Sequence, residues 1–397
     1  MTLLKSKLKE GLLLVLNLGS SSLKFTLIHS VSLNTAQSGS IISIGSKEVV
    51  MEIRSNEDQH VVKKIFTALD LDASIRELSD LLDENTRTKI IAIGYRIVQG
   101  GPQHINPERV SAKLLADLEA YLFLAPNHLP DEIKLMKAFR NAFIGIHHFA
   151  CFDTYFHKDM PTNAKYYAVP EKYREMGLIR YGFHGLSYES IFQQLLEEDV
   201  DVKNKKIIIA HLGSGSSMVA IKNGTTQDTT MGISPMGGMV MSTRSGDLDP
   251  GAILFMLKQD KLSIDQLDEI LSHESGLKAI AGTGDMQEIL ATRKSNQKAG
   301  EALDLFCYQA KKQIALLAAA MGGVDLLIFC GGIGEHAWLV REMICSDLQF
   351  MGISLDNRLN SGSGTLISLP ESTVAVRVMK TDEQLMIAMH IQQLLSI

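Results

Sequence analysis

The apolar positions of this chain fall into short continuous runs that end at glycine. These runs are rich in leucine, isoleucine and valine, and they cover residues 12–19, 89–101, 206–213 and 326–332. Apolar runs of this length, bounded by turn residues, are typical of strands buried inside a sheet. The pattern therefore predicts buried strands at these four places.

Segments with helical spacing of apolar residues lie between the predicted strands. They cover residues 111–124, 187–198 and 303–323. Apolar side chains that recur every three or four positions form one face of an amphipathic helix. Because helices and strands alternate along the chain, the sequence predicts an α/β architecture.

Two of the predicted strand ends resemble each other. LNLGSSSLKF and AHLGSGSSMVAI align with Leu18 on Leu212 and Gly19 on Gly213, almost half the chain apart. The match is consistent with duplicated domains, and a chance match over so few residues is an equal alternative. The polar segment 146–167 is the best boundary, which gives domains at 1–150 and 151–383. A last helix at about 384–397 is expected to return to the first domain.

The glycine turns after these strands are candidate anion sites. Residues 17–24, 213–217 and 331–335 each follow a strand, where successive backbone N–H groups and hydroxyls can hold phosphate. None of them fits the phosphate-binding motif GxxxxGK[ST] or the dinucleotide motif GxGxxG. A simple β-hairpin is the alternative for 17–24, with Lys24 facing solvent. Several such turns would suit ATP bound in a cleft between domains.

Composition and charge narrow the class of partner. The chain has 397 residues with 39 basic and 45 acidic side chains, a net charge of −6, so it lacks the basic excess of a nucleic-acid binder. Its four cysteines include no CxxC pair, which favours a reducing cytoplasm over a disulfide framework or a zinc site. No window approaches the roughly 18 apolar residues of a membrane span. Small-molecule substrates are expected, without a nucleic-acid or membrane partner.

Motifs along nearly the whole chain resemble the acetokinase family of the acetate and sugar kinase, Hsp70 and actin superfamily. They are, in order, NLGSSSLKF (17–25), GYRIVQGG (94–101), FDTYFH (152–157), RYGFHG (180–185), HLGSGSS (211–217), DTTMGISPMGGMVMSTRSGDLDPG (228–251), GGIGE (331–335) and TDEQLMIA (381–388). The resemblance implies duplicated actin-like, ribonuclease H-like domains with an active-site cleft between them, and a homodimer. It also implies reversible phosphoryl transfer between ATP and acetate, giving acetyl phosphate and ADP, with Mg²⁺, or alternatively Mn²⁺, as the metal.

The resemblance also assigns roles to single residues. Transfer of a phosphoryl group to a carboxylate requires positioning and charge neutralisation more than covalent chemistry. The catalytic residues implied are Arg96, Asp153, His184 and Arg244. The implied metal residues are Asn17, Asp153 and Glu383. His128 and His211 resemble further active-site histidines of secondary importance. Without the resemblance, such arginines are usually surface ion pairs, such a histidine is usually a packed core residue, and Glu383 is a helix-start acid.

Two larger sets complete the implied site. The substrate residues are Arg96, Val98, Asn127, Phe183 and Pro235. The nucleotide residues are Asn17, Ser20, Ser22, Lys24, His211, Gly213, Ser214, Gly215, Asp285, Gly331, Gly332, Ile333 and Gly334.

Several positions depart from the family pattern. Ser214 replaces an asparagine, Tyr95 and Gln99 each replace a histidine, and Gln287 lies where an arginine is frequent, which leaves nucleotide preference open. Asn127 takes the place of a leucine in the acyl pocket, where one methylene is worth only about 1–3 kcal/mol. Acetate is the expected substrate. The alternatives are a propionate or butyrate kinase, a nucleotide-driven chaperone or filament protein, and a non-catalytic nucleotide sensor.

Overall fold

The chain folds into two compact units. A computed structural model describes residues 9–19, 21–55, 61–82, 84–362 and 364–396. Unit 1 contains the residues up to Tyr155 and those from Asp382 onward. Unit 2 contains Phe156–Thr381.

Unit 1 is built on one mixed sheet. In the described residues its strands are β1 (Leu12–Leu18), β2 (Ser22–His29), β3 (Thr35–Ile42), β4 (Glu48–Ser55), β5 (Val61–Thr67), β6 (Ile90–Ile97), β7 (Glu108–Arg109) and β8 (His147–Phe152). Its first helices are α1 (Leu71–Leu81), α2 (Glu84–Lys89), α3 (Ala112–Ala120) and α4 (Leu129–Ala142), and a 3₁₀ turn covers Leu122–Leu124. The strand order is β5-β4-β3-β2-β1-β6-β8-β7. The strand predicted from LLLVLNLG lies between β2 and β6 near the middle of this sheet, and its side chains are buried over almost the whole length.

Unit 2 has a smaller sheet and most of the helices. Its strands are β9 (Ile207–Leu212), β10 (Ser216–Lys222), β11 (Thr225–Thr229), β12 (Leu326–Cys330) and β13 (Ala375–Val378), in the order β11-β10-β9-β12-β13. Its helices are α5 (Thr162–Lys165), α6 (Glu171–Glu175), α7 (Gly185–Glu198), α8 (Pro250–Asp260), α9 (Ile264–Glu269), α10 (Gly276–Ala281), α11 (Met286–Thr292), α12 (Gln297–Met321), α13 (Gly331–His336), α14 (Trp338–Cys345) and α15 (Asn357–Ser361). Shorter turns cover Val200–Asn204, Ile270–Glu274 and Gln349–Met351. The last helix, α16 (Glu383–Leu395), belongs to unit 1.

The two sheets share one topology. In unit 1, β1, β2 and β3 form an antiparallel meander, and β6 and β8 continue from β1 in parallel. In unit 2, β9, β10 and β11 form the same meander, and β12 and β13 continue from β9 in parallel. Leu18 and Leu212 each end the first strand of their meander. The predicted duplicated α/β architecture is therefore confirmed, and the short sequence match is not a coincidence.

The segment 17–24 is a β-hairpin. β1 and β2 are antiparallel with Leu18 opposite Leu23, and the N–H of Gly19 donates to the carbonyl of Ser22 at 2.7 Å. Lys24 is exposed on β2. The hairpin alternative is thus correct for the backbone, and a phosphate role for this turn stays a prediction.

The longest helix, α12, organises the core of unit 2. Its buried side chains recur at helical spacing, as in Phe306, Ala310 and Ile314. Asn296 caps the start by accepting N–H groups of the first turn, and Gly322, with a φ of 73°, ends the helix. The predicted helix 303–323 therefore begins six residues earlier than its apolar pattern, because the capping asparagine and not the first apolar residue sets the start.

The boundaries between the units differ from the expected 1–150 and 151–383. β8 continues to Phe152 as a partner of β6, so residues 151–155 stay with unit 1. At the other end unit 1 resumes at Asp382, since this residue caps α16. As a result Asp153 and Glu383, which the expected boundaries put in the second domain, both belong to unit 1.

Two further features concern the described residues. Cys151, Cys307, Cys330 and Cys345 are buried thiols, and no disulfide joins them. Within the described ranges, none of the helices has both the length and the apolar character required to cross a bilayer.

The stability of unit 1 should depend strongly on its central strands. Ile93 on β6 is fully buried, whereas Ile144 is 88% exposed. Ile93→Ala should lower the free energy of unfolding by about 2–5 kcal/mol, because it leaves a cavity in the core. Ile144→Ala removes the same atoms and should change it by less than about 0.5 kcal/mol. Urea denaturation followed by circular dichroism measures both, and equal losses would contradict this account of the core.

Candidate active site

Polar side chains of unit 1 gather at the carboxyl ends of three parallel strands. Asn17 lies near the end of β1, Arg96 near the end of β6, and Asp153 directly after β8. Since β1, β6 and β8 are neighbours in the sheet and run parallel, their ends meet at one edge. The fold thus brings together three residues that are far apart in the sequence.

Arg96 and Asp153 form a two-pronged ion pair at this edge. The Nε of Arg96 donates to Oδ1 of Asp153 at 3.0 Å, and Nη2 donates to Oδ2. The side chains are only 15% and 2% exposed. Arg96 is therefore not the surface ion pair that an arbitrary arginine would suggest. Its Nη1 makes a weaker contact, 3.4 Å to Oδ1 of Asn17.

Glu383 joins the cluster from α16. Asn17 donates through Nδ2 to Oε2 of Glu383 at 3.1 Å, and the same oxygen lies 3.9 Å from Nε of Arg96. A glycine permits this approach, because a methyl group on Gly94 would lie 2.4 Å from Cδ1 of Ile391 and 2.7 Å from Cγ2 of Ile387. Helix α16 therefore packs directly on the backbone of β6, and its first residue reaches Arg96.

Burial and charge set the ionisation of this cluster. Burial raises the pKa of Asp153 to about 6, in part offset by Arg96 and reinforced by Glu383. Burial alone would lower the pKa of Arg96, but Asp153 and Glu383 more than compensate and hold it above its usual value. At pH 7 the guanidinium is charged and Asp153 is mostly ionised, so one fixed cation faces two carboxylates.

The oxygen atoms of this cluster fit a hard divalent ion. Mg²⁺ binds carboxylate and amide oxygens, takes only one or two carboxylates from a protein, and completes its shell with phosphate and water. Asp153, Glu383 and Asn17 offer such oxygens. Across the described residues, no group of three histidine, cysteine, aspartate or glutamate side chains could hold a metal by itself. Two carboxylates and one amide match the small number of protein oxygens that Mg²⁺ takes.

The second cluster lies in unit 2 around His184. This residue precedes α7 with a left-handed backbone, φ 59°. Its Nδ1 is 2.8 Å from Oγ of Ser217, which also bonds the hydroxyl of Tyr188. Its ring stacks on that of His211 with centroids 4.4 Å apart. β9 and β10, which place His211 opposite Ser217, therefore fix the orientation of this imidazole.

Arg244 approaches His184 at the turn between β9 and β10. A methyl group built on Gly215 would lie 3.5 Å from Nε2 of His184 and 3.6 Å from Nη1 of Arg244. The same Nη1 donates to the carbonyl of Pro235 at 3.1 Å. The structure thus brings together a guanidinium, an imidazole and a glycine turn that the sequence predicted for one site. Arg96 belongs to the other unit, so a role shared by the two arginines stays a prediction.

The loop that carries Arg244 is fixed by backbone contacts. The N–H of Ser242 donates to the carbonyl of Ser214, and the N–H of Leu277 donates to that of Met241. Gly276 has a φ of 65°, and a methyl group there would lie 2.2 Å from the carbonyl oxygen of Met241 and 2.8 Å from that of Arg244. Only glycine therefore allows α10 to hold this loop.

The predicted nucleotide residues have mixed environments. The N–H of Gly213 is used within its own turn, where it donates to the carbonyl of Gly215 at 3.1 Å, so it is not a spare donor for phosphate. GGIGE is a strand-to-helix turn, in which Gly331, Gly332, Ile333 and Gly334 begin α13. Asp285 caps α11 by accepting from the N–H of Gln287 at 2.8 Å. Ser22 begins β2, and Ser20 lies outside the described residues.

The predicted substrate residues are divided between the units. Val98 and Asn127 belong to unit 1, and Phe183 and Pro235 to unit 2. Val98 and Phe183 are 3% and 1% exposed, whereas Asn127 is exposed. His128 precedes α4 and is half-buried. Their contact with a substrate stays a prediction.

Two of the substituted residues have clear local roles. The hydroxyl of Tyr95 lies 2.7 Å from Nδ1 of the buried His148. Gln99 accepts the N–H of Gly101 at 2.8 Å and so stabilises the turn after β6. Tyr95 and Gln99, which differ from the family pattern, therefore make hydrogen bonds in the core beside Arg96.

Sequence reasoning missed Glu132, Tyr188 and Gly276. Glu132 could have been found, since it occupies an apolar position in the helical pattern of α4. For Ser217 the sequence predicts only a place in a glycine turn. The contacts of Tyr188 and Gly276 had no sequence signal, because each depends on a segment distant in the chain.

Duplicated sheets that share a three-stranded antiparallel meander continued by two parallel strands define an actin-like fold. The chain belongs to the acetokinase family, whose model matches residues 12–389. An acetate kinase of Rickettsia felis is 37% identical over 395 residues, which are 97% of this chain and 100% of that protein.

Solved structures agree with this assignment. The crystal structure of Porphyromonas gingivalis acetate kinase is 34% identical with a TM-score of 0.84, and the match covers 96% of this chain and 98% of that one. A propionate kinase from Francisella tularensis subsp. tularensis is 33% identical with a TM-score of 0.89, over the same 96% and 98%.

A matched pair of glycine substitutions tests the support of Arg244. Gly276→Ala and Gly282→Ala both put alanine at positive φ, which costs about 1–2 kcal/mol. Only Gly276 faces a clash, since nothing lies within 4 Å of a methyl group on Gly282. Gly276→Ala should therefore lower the free energy of unfolding more than Gly282→Ala does. It should also speed hydrogen exchange in residues 241–245. Equal exchange in the two variants would contradict the proposed support.

Proposed function

We propose that the protein transfers the γ-phosphoryl group of ATP reversibly to acetate, giving acetyl phosphate and ADP, with Mg²⁺ as the metal. The convergence of His184 and Arg244 on the turn at Gly215 is the observation that most supports it. Two donors that lie beside one glycine turn can stabilise negative charge on a phosphoryl group in transfer. Membership of the acetokinase family supplies the reaction class.

In this proposal the residues of unit 1 hold the carboxylate and the metal. Asp153 occupies Nε and Nη2 of Arg96, whereas Nη1 makes only the 3.4 Å contact to Asn17. Nη1 is therefore the donor that would bind the substrate carboxylate. Asp153, Glu383 and Asn17 would hold the metal, which neutralises phosphate charge when it is bound.

The residues of unit 2 would act on the phosphoryl group itself. Tyr188 can donate to Ser217, and Ser217 can donate to Nδ1 of His184. The proton of a neutral imidazole then resides on Nε2, the atom that faces the turn at Gly215. Nε2–H of His184 and the guanidinium of Arg244 would donate to the equatorial oxygens while the acetate oxygen attacks in line. ATP would bind the glycine turns, and we expect a cytoplasmic homodimer.

A hydroxamate assay for acetyl phosphate tests the function directly. Purified protein with ATP, acetate and Mg²⁺ should form acetyl phosphate, and a chelator should abolish the product until Mg²⁺ or Mn²⁺ is restored. Absence of acetyl phosphate under these conditions would reject the proposal. ADP release without acyl phosphate would instead favour a nucleotide-driven chaperone or filament protein, and nucleotide binding without turnover would favour a non-catalytic sensor.

Propionate is the second candidate substrate. The Francisella tularensis relative is a propionate kinase, and Asn127 departs from the leucine of the family pattern. We expect acetate to have the highest kcat/KM, with propionate lower by about 10- to 200-fold, as one methylene in an apolar pocket allows. Rates measured with acetate, propionate and butyrate test this order, and a higher kcat/KM for propionate would replace acetate as the substrate.

Arg244→Ala should reduce kcat by at least about 100-fold with little change in the KM for ATP, because one transition-state donor is worth about 3 kcal/mol. Arg377→Ala is the control. It removes an arginine of the edge strand β13 that pairs with Glu198 at 2.7 Å, and it should leave kcat unchanged. Normal turnover by Arg244→Ala would remove this residue from the mechanism.

A further inference from the structure

A carboxyl group that the proposed reaction does not use lies in the core beneath Arg96. Glu132 on α4 is 1% exposed, and its neighbours on the buried face of the helix include Leu129, Ile133 and Met136. A carboxyl group at such a position is costly unless it is neutral or bonded. Its presence in an otherwise apolar helix face therefore requires an explanation.

Glu132 bonds to the backbone at the end of β6. Its Oε1 and Oε2 lie 3.2 and 3.1 Å from the backbone nitrogen of Val98, whose N–H they accept. On the other side, the carbonyl of Ile97 accepts the N–H of Asp153 at 2.9 Å. The backbone that directly follows Arg96 is thus held from α4 and from the end of β8. Movement of this backbone would displace both Val98 and the guanidinium.

The charged groups around Glu132 come from three elements. Arg96 faces it from β6, Asp153 from the end of β8, and Asp131 from its own helix. Burial raises the pKa of Glu132 to about 8, and Arg96 and the N–H of Val98 offset the rise only in part. At pH 7 the carboxyl group is mostly protonated, so Arg96 does not face a third carboxylate.

We propose that Glu132 is a positioning residue for the carboxylate substrate: it fixes the backbone of Val98 and thereby the placement of Arg96. This inference rests on the proposed function, since it concerns the binding of acetate. It also predicts that the binding of acetate depends on pH. Above pH 8 an ionised Glu132 adds negative charge beside Arg96 and opposes the binding of an anionic substrate.

Two substitutions separate the contact from the charge. Glu132→Gln keeps an oxygen for the N–H of Val98 and cannot ionise, whereas Glu132→Ala removes the contact. Wild-type KM for acetate should rise several-fold between pH 7 and 9, up to about tenfold per pH unit for a single ionisation. Glu132→Gln should keep a flat KM over this range. Glu132→Ala should show a KM raised about tenfold or more at every pH, with the KM for ATP unchanged in both variants.

The KM values of these variants distinguish failure of the proposal for Glu132 from failure of the proposed function. A parallel rise of KM in wild type and Glu132→Gln, or a wild-type KM in Glu132→Ala, would overturn the proposal while the proposed function stands. If wild type forms no acetyl phosphate, the proposed function fails instead, and thermal unfolding still tests Glu132.

The thermal test follows from proton linkage. A carboxyl group whose pKa is raised on folding favours the folded state at low pH, and this contribution is lost as the pH rises from about 4.5 to about 8. The Tm of wild type should therefore fall relative to that of Glu132→Gln over this range. A constant difference between the two Tm values would overturn the buried neutral state of Glu132.

Discussion

The ion pair between Arg96 and Asp153 is the interaction on which the polar cluster of unit 1 depends. Both side chains are largely removed from water, and the guanidinium presents two parallel donors to one carboxylate. A buried pair of this kind is not a large source of stability, because desolvation offsets most of the attraction. Loss of one partner, however, leaves an unpaired buried charge and destabilises a protein by about 3–5 kcal/mol. The pair therefore persists as a unit, and it sets the charge that Asn17 and Glu383 experience.

The duplicated topology explains why two polar clusters exist at all. Each meander ends its first strand at a leucine followed by a glycine, and in unit 1 the parallel strands β6 and β8 deliver side chains to the same edge. In unit 1 that edge carries a cation between carboxylates, and in unit 2 it carries stacked imidazoles beside Arg244. One architecture thus supports two chemical environments, because unit 1 supplies side chains from its strand ends and from α16, whereas unit 2 adds His184 before α7 and Arg244 from a loop.

The sequence predicted the strands and the α/β class, because these depend on local apolar patterns that the fold preserves. Duplication was predicted by the family resemblance, since the short match alone left chance as an equal alternative. It could not predict the contact between Asn17 and Glu383, since 366 positions separate them and only packing of α16 on β6 joins them. Asp285 and Glu383 both lie at helix starts, yet one caps its own helix and the other reaches a remote guanidinium. Local pattern does not distinguish these cases. Glu132 is the exception, because a carboxylate in an apolar helix face is visible in the sequence.

Because α16 packs on Gly94, the height of the whole helix above β6 sets the position of its first residue, Glu383. Ile387 lies one turn along from Glu383, about 6 Å at the rise of an α-helix. A helix transmits displacement along its axis without bending over so short a length. Any side chain that lifted the helix at Gly94 would therefore move the carboxylate of Glu383 by a similar distance. The position of the Glu383 carboxylate therefore depends on the absence of a side chain at residue 94.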